Sequence, residues 1–291
     1  PPTGSSDGSI SAGWKPPLLS AVVPAKYQTI GSVATLVQHR GPTTLPGAPP
    51  DTSTGPVVVC LHEAGMGGAA FADLLDRLAD DFSPMAFDRP GHGRSGGLDS
   101  LGSVPAMADH AAGLLDAYGL SGVVVVGEGL GSAVALELAA GRPDLVAGLV
   151  LVGGAAASYE LDGELSALSA ITSGRARRAF DRSGYAPETD RAIYQKAFGV
   201  WVKTDPRATL GDRRAQADWS LGDRAGSIPV PVLVVIGQHE EAASASAAKA
   251  LAESLPDAGI ATLDGAGRRG VLEQPAGLAA LIASFAEGLS R

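Results

Sequence analysis

The stretch VVVVGEGLGSAVALELA, residues 123–139, decides the fold of this 291-residue chain. A run of valines, typical of a strand that is covered on both faces, continues through Gly-x-Gly-x-Gly into a helix of small residues. Because strand and helix follow each other so closely, the turn between them has to be sharp, and glycines beside its tip avoid clashes. We assign the tip to Glu128, which places an acidic side chain at the start of a helix.

The same alternation of short apolar runs and helical patterns extends on both sides of this stretch. Strands are predicted at 57–61, 84–88, 123–127, 146–154, 230–237 and 259–265. Helices are predicted at 71–81, 107–120, 132–141, near 243–254 and near 275–289. Strands that alternate with helices over short loops predict an α/β fold, with a mostly parallel, doubly wound sheet. Residues 27–40 alternate loosely and predict one or two antiparallel strands.

Residues 155–228 depart from this pattern. They contain 11 of the 22 Lys and Arg residues and no clear buried strand, and the segment DRAIYQKAFGVWV forms an apolar stripe at helical spacing. A helical insertion in an α/β domain is expected to cover the carboxyl edge of the sheet, where open parallel sheets bind ligands. The predicted organisation is therefore an N-terminal extension at 1–26, a core at 27–154 and 229–291, and a helical cap at 155–228.

Composition and charge narrow the class of partner. The net charge of −9 argues against nucleic acid or an anionic membrane as a partner, and no apolar stretch approaches the roughly 20 residues that span a bilayer. Cys60, the lone cysteine, cannot form an internal disulfide and is expected to be a small core side chain. The first residues carry neither an initiating Met nor a signal pattern, so a trimmed end is expected. We expect a cytoplasmic monomer or homodimer that binds a small molecule.

Four motifs, in order, resemble the α/β-hydrolase superfamily of the helical-cap type. CLHEAG (60–65) resembles its His-Gly oxyanion loop, and FDRPGHGRSG (87–96) resembles the turn after the next strand. VVVVGEGLGSA (123–133) resembles the nucleophile elbow, while VPVLVVIGQHE (230–240) and LDGAGRRGVLEQP (263–275) resemble the acid and histidine loops. The resemblance covers 27–154 and 229–291 and implies the α/β-hydrolase fold.

The catalytic residues that this resemblance implies are replaced. Aligned by motif, the nucleophile position is Glu128, the acid position Glu240, the histidine position Arg268 and the oxyanion-loop glycine Glu63, which follows His62. The backbone N–H groups of Ala64 and Gly129 are the expected oxyanion donors. Arginine stays protonated and cannot act as a general base, so the ordinary serine mechanism is excluded. Ser132 lies inside the start of the helix and is expected to cap or pack.

If the loops sit as the resemblance implies, Arg268 lies opposite Glu128 with Glu240 behind, as a carboxylate–guanidinium–carboxylate row. The first interpretation is non-hydrolytic proton transfer by Glu128, with Arg268 stabilising the developing oxyanion and His62, Glu63 and His92 as helpers. Such a lyase, cyclase or isomerase would act on a small, mostly apolar, carbonyl-bearing metabolite of secondary metabolism. Its substrate-binding aromatic residues are expected to be Tyr194, Phe198, Trp201 and Trp219.

Two other interpretations stay open. The row could be a structural remnant in a catalytically degenerate binding protein or receptor. Alternatively, Glu128 could attack covalently in an unusual esterase or epoxide hydrolase, although Arg268 cannot activate water and His239 is poorly placed to do so. No cofactor is expected, because GEGLG does not match a dinucleotide fingerprint. No metal site is expected either, because the spacing of the acidic and histidine residues fits no ligand pattern.

Overall fold

The fold is a single sheet of eight strands in the part of the chain that the computed structural model describes, residues 24–157 and 161–289. The strands are β1 (Ala25–Ile30), β2 (Val33–His39), β3 (Val57–Leu61), β4 (Ser83–Phe87), β5 (Val123–Glu128), β6 (Val146–Val152), β7 (Val232–Gly237) and β8 (Ala258–Leu263). Their order is β1-β2-β4-β3-β5-β6-β7-β8. Only the pairings of β2 are antiparallel among these described strands. The predicted α/β class is confirmed.

Helices cover both faces of the sheet. They are α1 (Ala72–Leu78), α2 (Val104–Tyr118), α3 (Leu130–Gly141), α4 (Asp162–Thr172), α5 (Arg191–Trp201), α6 (Pro206–Ala217), α7 (Ala242–Ser254), α8 (Gly270–Glu273) and α9 (Pro275–Leu289). Along β5, Val123 and Val125 pack with α2, α3 and α7, whereas Val124 and Val126 pack with α1 and α9. Burial on both faces explains why the central strands are continuous apolar runs.

Local sequence signals set the ends of α2. The Ser103 side chain accepts a hydrogen bond from the Ala106 N–H at 3.3 Å, and a proline stands in the first turn. At the other end, Gly119 takes a left-handed conformation with φ 64°, which only glycine adopts without strain. The helix begins three residues before the predicted residue 107, at the serine cap.

The cap helices, α4 to α6, lie between β6 and β7 along the chain, and none of the eight strands comes from this insertion. The side chains of Asp190 and Asp205 cap the first turns of α5 and α6 by accepting backbone N–H bonds. The predicted extension at 1–26 lies outside the described residues except for 24–26. The domain boundaries stay predictions, and so does the oligomeric state.

Two expectations from composition can be compared with the structure. Cys60 is fully buried in β3, where burial raises the pKa of its thiol, so it is the core side chain that we predicted. In the described part of the chain, no helix combines the length and the apolar character needed to cross a bilayer.

Candidate functional site

The sharp turn between β5 and α3 has Gly129 at its tip. β5 ends at Glu128 and α3 begins at Leu130, so a single residue makes the turn, with φ 55° and ψ −113°. This region of backbone conformation strains any residue that carries a Cβ. The prediction that Glu128 occupies the tip is therefore wrong by one residue, because Glu128 still pairs with Val152 inside the sheet.

The Glu63 carboxylate fills the space beside this tip. Its Oε1 accepts hydrogen bonds from the backbone N–H groups of Ala64 at 2.5 Å and Leu130 at 3.3 Å. A Cβ built on Gly129 would collide with the same carboxylate. In the hydrolases that this chain resembles, the oxyanion hole consists of the N–H after the nucleophile and an N–H of the loop after β3. The carboxylate of Glu63 thus lies where a substrate oxyanion would.

This geometry corrects one of the two predicted oxyanion donors. The Ala64 N–H points into the site as predicted. The Gly129 N–H instead donates to the carbonyl of Val152 at 2.9 Å, and the Leu130 N–H takes its place. The predicted donor is wrong by one residue for the same reason as the predicted tip: Gly129, and not Glu128, makes the turn.

Three arginines, of which Arg213 is buried, hold Glu63 in its charged form. Arg213 of α6 lies 2.9 Å from Glu63 Oε1, and Arg269 lies 3.5 Å from Oε2. Burial alone would raise the pKa, but attraction by Arg213, then Arg269 and Arg268, lowers the pKa of Glu63 to about 2. Since Glu63 is ionised and fully paired at neutral pH, it is a poor proton acceptor.

Arg213 is a site residue that sequence reasoning missed. Its side chain is 5% exposed, and besides Glu63 it pairs with Glu164 of α4 at 2.8 Å and donates to Gln216 at 2.6 Å. One arginine thereby joins two cap helices to the oxyanion loop. The abundance of cations in residues 155–228 was the available signal, but it does not distinguish Arg213 from its ten neighbours.

Glu128 is buried and poorly solvated. Its side chain is 1% exposed, and neither carboxyl oxygen has a well-formed hydrogen bond to the described residues. Burial raises the pKa of Glu128 to about 7; Arg269 opposes this and the charge of Glu63 adds to it. The Glu128 carboxyl oxygens accept no hydrogen bond from Arg268, although the charge of Arg268 is among those that lower the pKa of Glu128, so the predicted row stays a prediction.

The raised pKa of Glu128 predicts that the stability of the folded chain depends on pH. Glu128 binds its proton more tightly in the folded chain, so its contribution to stability is lost as pH rises from its ordinary pKa of 4.5 through about 7. Glu128→Gln is expected to raise the free energy of unfolding by roughly 2–3 kcal/mol at pH 8, relative to any difference at pH 5. Urea denaturation of both proteins at pH 5, 6, 7 and 8 measures this. A difference independent of pH would contradict it.

Arg268 and Glu240 occupy the loops that the motifs implied. The Arg268 N–H donates to the Gly184 carbonyl at 2.7 Å, and its side chain lies over Gly153, at the carboxyl end of β6. The carboxylate of Glu240 accepts hydrogen bonds from the Gly237 N–H at 3.1 Å and from the Ser244 hydroxyl. Glu240 therefore links the end of β7 to the first turn of α7.

The predicted helper histidines support the loops. His62 accepts a hydrogen bond from the Arg89 N–H at 3.0 Å and donates its other ring N–H to the Glu63 carbonyl at 2.8 Å. His92 Nε2 lies 3.0 Å from Asp212 of α6. Burial lowers the pKa of His62 well below its ordinary value, so the ring is neutral. Both rings are engaged in structural contacts rather than facing a reacting atom.

Asp212 is a second buried link between cap and core. Its carboxylate accepts hydrogen bonds from Arg89 at 2.6 Å and from the Ser100 hydroxyl at 2.7 Å. Desolvation opposes ionisation, but Arg89 and His92 hold the pKa of Asp212 well below its ordinary value. Asp212 and Arg213 are neighbours in α6, so both ion-pair clusters fix this helix over the turn at Gly129.

Comparison with known proteins places this fold in a family. A model of the alpha/beta hydrolase family matches residues 58–281. This chain belongs to the alpha/beta hydrolase family. The superfamily resemblance of the motifs is thereby confirmed, and the replacement of the catalytic positions stays a prediction.

Several relatives of this family member have names that describe hydrolases. The 2-(acetamidomethylene)succinate hydrolase of Mesorhizobium japonicum is 27% identical over 231 residues, 74% of this chain and 82% of that protein. Lipase LipV of Mycobacterium tuberculosis is 39% identical over 158 residues, 53% of this chain and 54% of that protein. The structure of the enol-lactonase from Burkholderia xenovorans LB400 superposes with a TM-score of 0.77 and 19% identity, covering 90% of this chain and 99% of that one.

Two cavities of this alpha/beta hydrolase family member lie near the turn. The one that Gly129 and Glu63 line has a volume of about 30 Å³, room for little more than a water molecule. The other, which we call the cap–core cavity, has a volume of about 460 Å³, within the range of small-molecule sites. It is lined by Ala64, Met66, Glu164, Ala167, Leu168, Ile171, Arg178, Ala179, Phe180, Asp181, Ser183, Tyr185, Trp201, Thr209, Arg213, Arg268 and Arg269.

Of the four aromatic residues predicted to bind substrate, two line a cavity and two do not. Trp201 lines the cap–core cavity, and Trp219 lines the small cavity while donating to Glu137 at 2.8 Å. Tyr194 packs on Tyr185, with ring centroids 5.0 Å apart, and Phe198 is 45% exposed beside Trp201. Neither Tyr194 nor Phe198 lines either of these two cavities, so their assignment to the substrate site stays a prediction. The wall is also more charged than a mostly apolar ligand would require.

Proposed function

We propose that this protein binds a small molecule in the cap–core cavity without hydrolysing it. The observation that carries the proposal is the Glu63 carboxylate, which accepts both oxyanion-hole N–H groups and faces a residue with no side chain. A substrate carbonyl would have to displace a charge that Arg213 and Arg269 also hold. Arg268 in place of the histidine offers no general base. This supports the binding-protein alternative over hydrolysis.

A second candidate is the non-hydrolytic proton transfer that we expected from the sequence, as in a lyase, cyclase or isomerase. One observation favours it: the pKa of Glu128 is raised to about 7, where a general acid or base works best. However, Glu128 is 1% exposed and does not line the cap–core cavity. This function would require the turn at Gly129 to open.

Binding and hydrolysis make different predictions in one experiment. The protein is screened against p-nitrophenyl esters, thioesters, lactones and epoxides, and against a neutral and charged fragment library by thermal shift. We expect no turnover above buffer, but fragments that raise the melting temperature by a few degrees, as saturating ligands do. Turnover that Glu128→Gln abolishes would contradict the binding proposal. A library without any stabilising fragment would contradict it too.

A further inference from the structure

We propose that the ligand of the cap–core cavity is a small amphipathic organic acid, and that Arg178 binds its carboxylate. The inference rests on the proposed binding function and names the chemical class of its ligand. It depends on how the charges in the wall of this cavity are paired.

Arg178 is a fixed cation in the cavity wall. Its guanidinium carbon lies 3.8 Å from the centre of the Trp201 ring. Two of its N–H groups donate to main-chain carbonyls, of Thr204 at 2.6 Å and Trp201 at 3.1 Å. A guanidinium has five N–H donors, and stacking on an aromatic face orients the remaining ones. Arg178 is thus preorganised for a planar, bidentate acceptor.

The charge of Arg178 has no carboxylate in contact among the described residues. Asp205, the acid that acts on its pKa, is already bound by Arg207 at 2.9 Å. Partial burial lowers the pKa of Arg178, which shows that its charged form is poorly compensated there. An anion in the cavity would supply the missing charge.

The other ionic groups of the wall differ from Arg178 in this respect. Arg213 is held between Glu63 and Glu164, and Arg269 shares Glu63 at a longer 3.5 Å. The Asp181 carboxylate accepts the N–H and hydroxyl of Ser183, at 2.8 and 2.5 Å. Of Arg178, Arg213 and Arg269, Arg178 is therefore the cation without a carboxylate partner in the described part of the chain.

The rest of the wall limits the ligand further. Met66, Leu168, Ile171, Phe180 and Tyr185 give it an apolar and aromatic surface, which suits a hydrocarbon or aryl body. The charge of Glu164 is compensated by Arg213, whereas the Asp181 carboxylate also faces the cavity and would repel a second negative charge. A monoanionic carboxylate fits this wall better than a phosphate dianion.

Matched pairs of probes test the proposal. Binding of benzoate, phenylacetate and 2-naphthoate is measured by isothermal titration calorimetry beside the corresponding neutral amides and 2-naphthyl phosphate. We expect at least one acid to bind ten times or more tighter than its amide, and tighter than the phosphate. Arg178→Gln is expected to remove this preference, and Arg178→Lys is expected to keep part of it. Circular dichroism checks that both variants are folded. Arg214→Gln, an exposed charge change in α6, should keep it.

Several outcomes would overturn the proposal. No preference for acid over amide in all three pairs would exclude anion recognition, and a preference that survives Arg178→Gln would place it elsewhere. Tighter binding of the phosphate would replace the carboxylate class. In each case the binding function itself stands if neutral fragments stabilise the protein in the thermal-shift library, and it falls if no fragment does or if the protein shows turnover that Glu128→Gln abolishes.

Discussion

Glu63→Gln is expected to lower the free energy of unfolding by about 3–5 kcal/mol at pH 7, since it removes one partner of a buried ion pair. The side chains of Glu63 and Arg213 are 2% and 5% exposed, so bulk water compensates poorly for the lost carboxylate. Gln keeps the shape and can still accept the Ala64 N–H, and the loss therefore reports the charge. Urea denaturation, followed by circular dichroism, measures the difference.

A double-mutant cycle distinguishes the ion pair from a general defect. The double variant Glu63→Gln, Arg213→Gln lacks both charges. Its loss in the free energy of unfolding is expected to be smaller than the sum of the losses of the two single variants, by 1.5 kcal/mol or more. Glu164→Gln is the matched control, because Glu164 pairs with the same arginine but is 42% exposed and should contribute about 1 kcal/mol or less. Additive single effects would show that Glu63 and Arg213 do not stabilise the chain as a pair.

The fold could be predicted because its signals are local and repeated. β5 is an unbroken run of valines that ends in Gly-Glu, and α9 has apolar residues at helical spacing, so both were placed within two residues of their observed bounds. The start of α3 was missed by two residues, because Leu130 and Gly131 follow the turn without a capping side chain. The spacing of apolar residues and the composition of the segment predict such elements without knowledge of distant contacts.

The site was harder to predict because its decisive features are a backbone angle and long-range pairs. Gly127, Gly129 and Gly131 allow two positions for the tip of the turn, and the unusual glutamate favoured the wrong one. The spacing Gly-x-x-x-Gly around Gly129 was the signal that could have corrected it, as in Gly-x-Ser-x-Gly. Glu63 and Arg213 are 150 positions apart, and no local pattern links them.

Gly129→Ser is expected to have the largest effect on stability, a loss of about 4 kcal/mol or more in the free energy of unfolding. Two costs add: a Cβ at φ 55° and ψ −113° strains the backbone by about 1–3 kcal/mol, and the same Cβ collides with the Glu63 carboxylate. Gly119→Ser is the control for an added Cβ at positive φ without a collision. Gly119 also has a positive φ, of 64°, but no atom lies within 4 Å of an added Cβ, so a loss of only about 1 kcal/mol is expected.

Removing the Glu63 carboxylate is expected to lower the stability penalty of Gly129→Ser and to leave the penalty of Gly119→Ser unchanged. In a Glu63→Gly, Arg213→Gln background, which removes the buried pair as a whole, the penalty of Gly129→Ser is expected to fall by 2 kcal/mol or more. The penalty of Gly119→Ser should stay the same. An equal penalty for Gly129→Ser in both backgrounds would mean that Glu63 moves aside at little cost, and that a nucleophile is sterically allowed. The expected result would mean that a serine at the tip and a carboxylate in the oxyanion hole exclude each other, which would support the proposal that this chain binds a ligand without hydrolysing it.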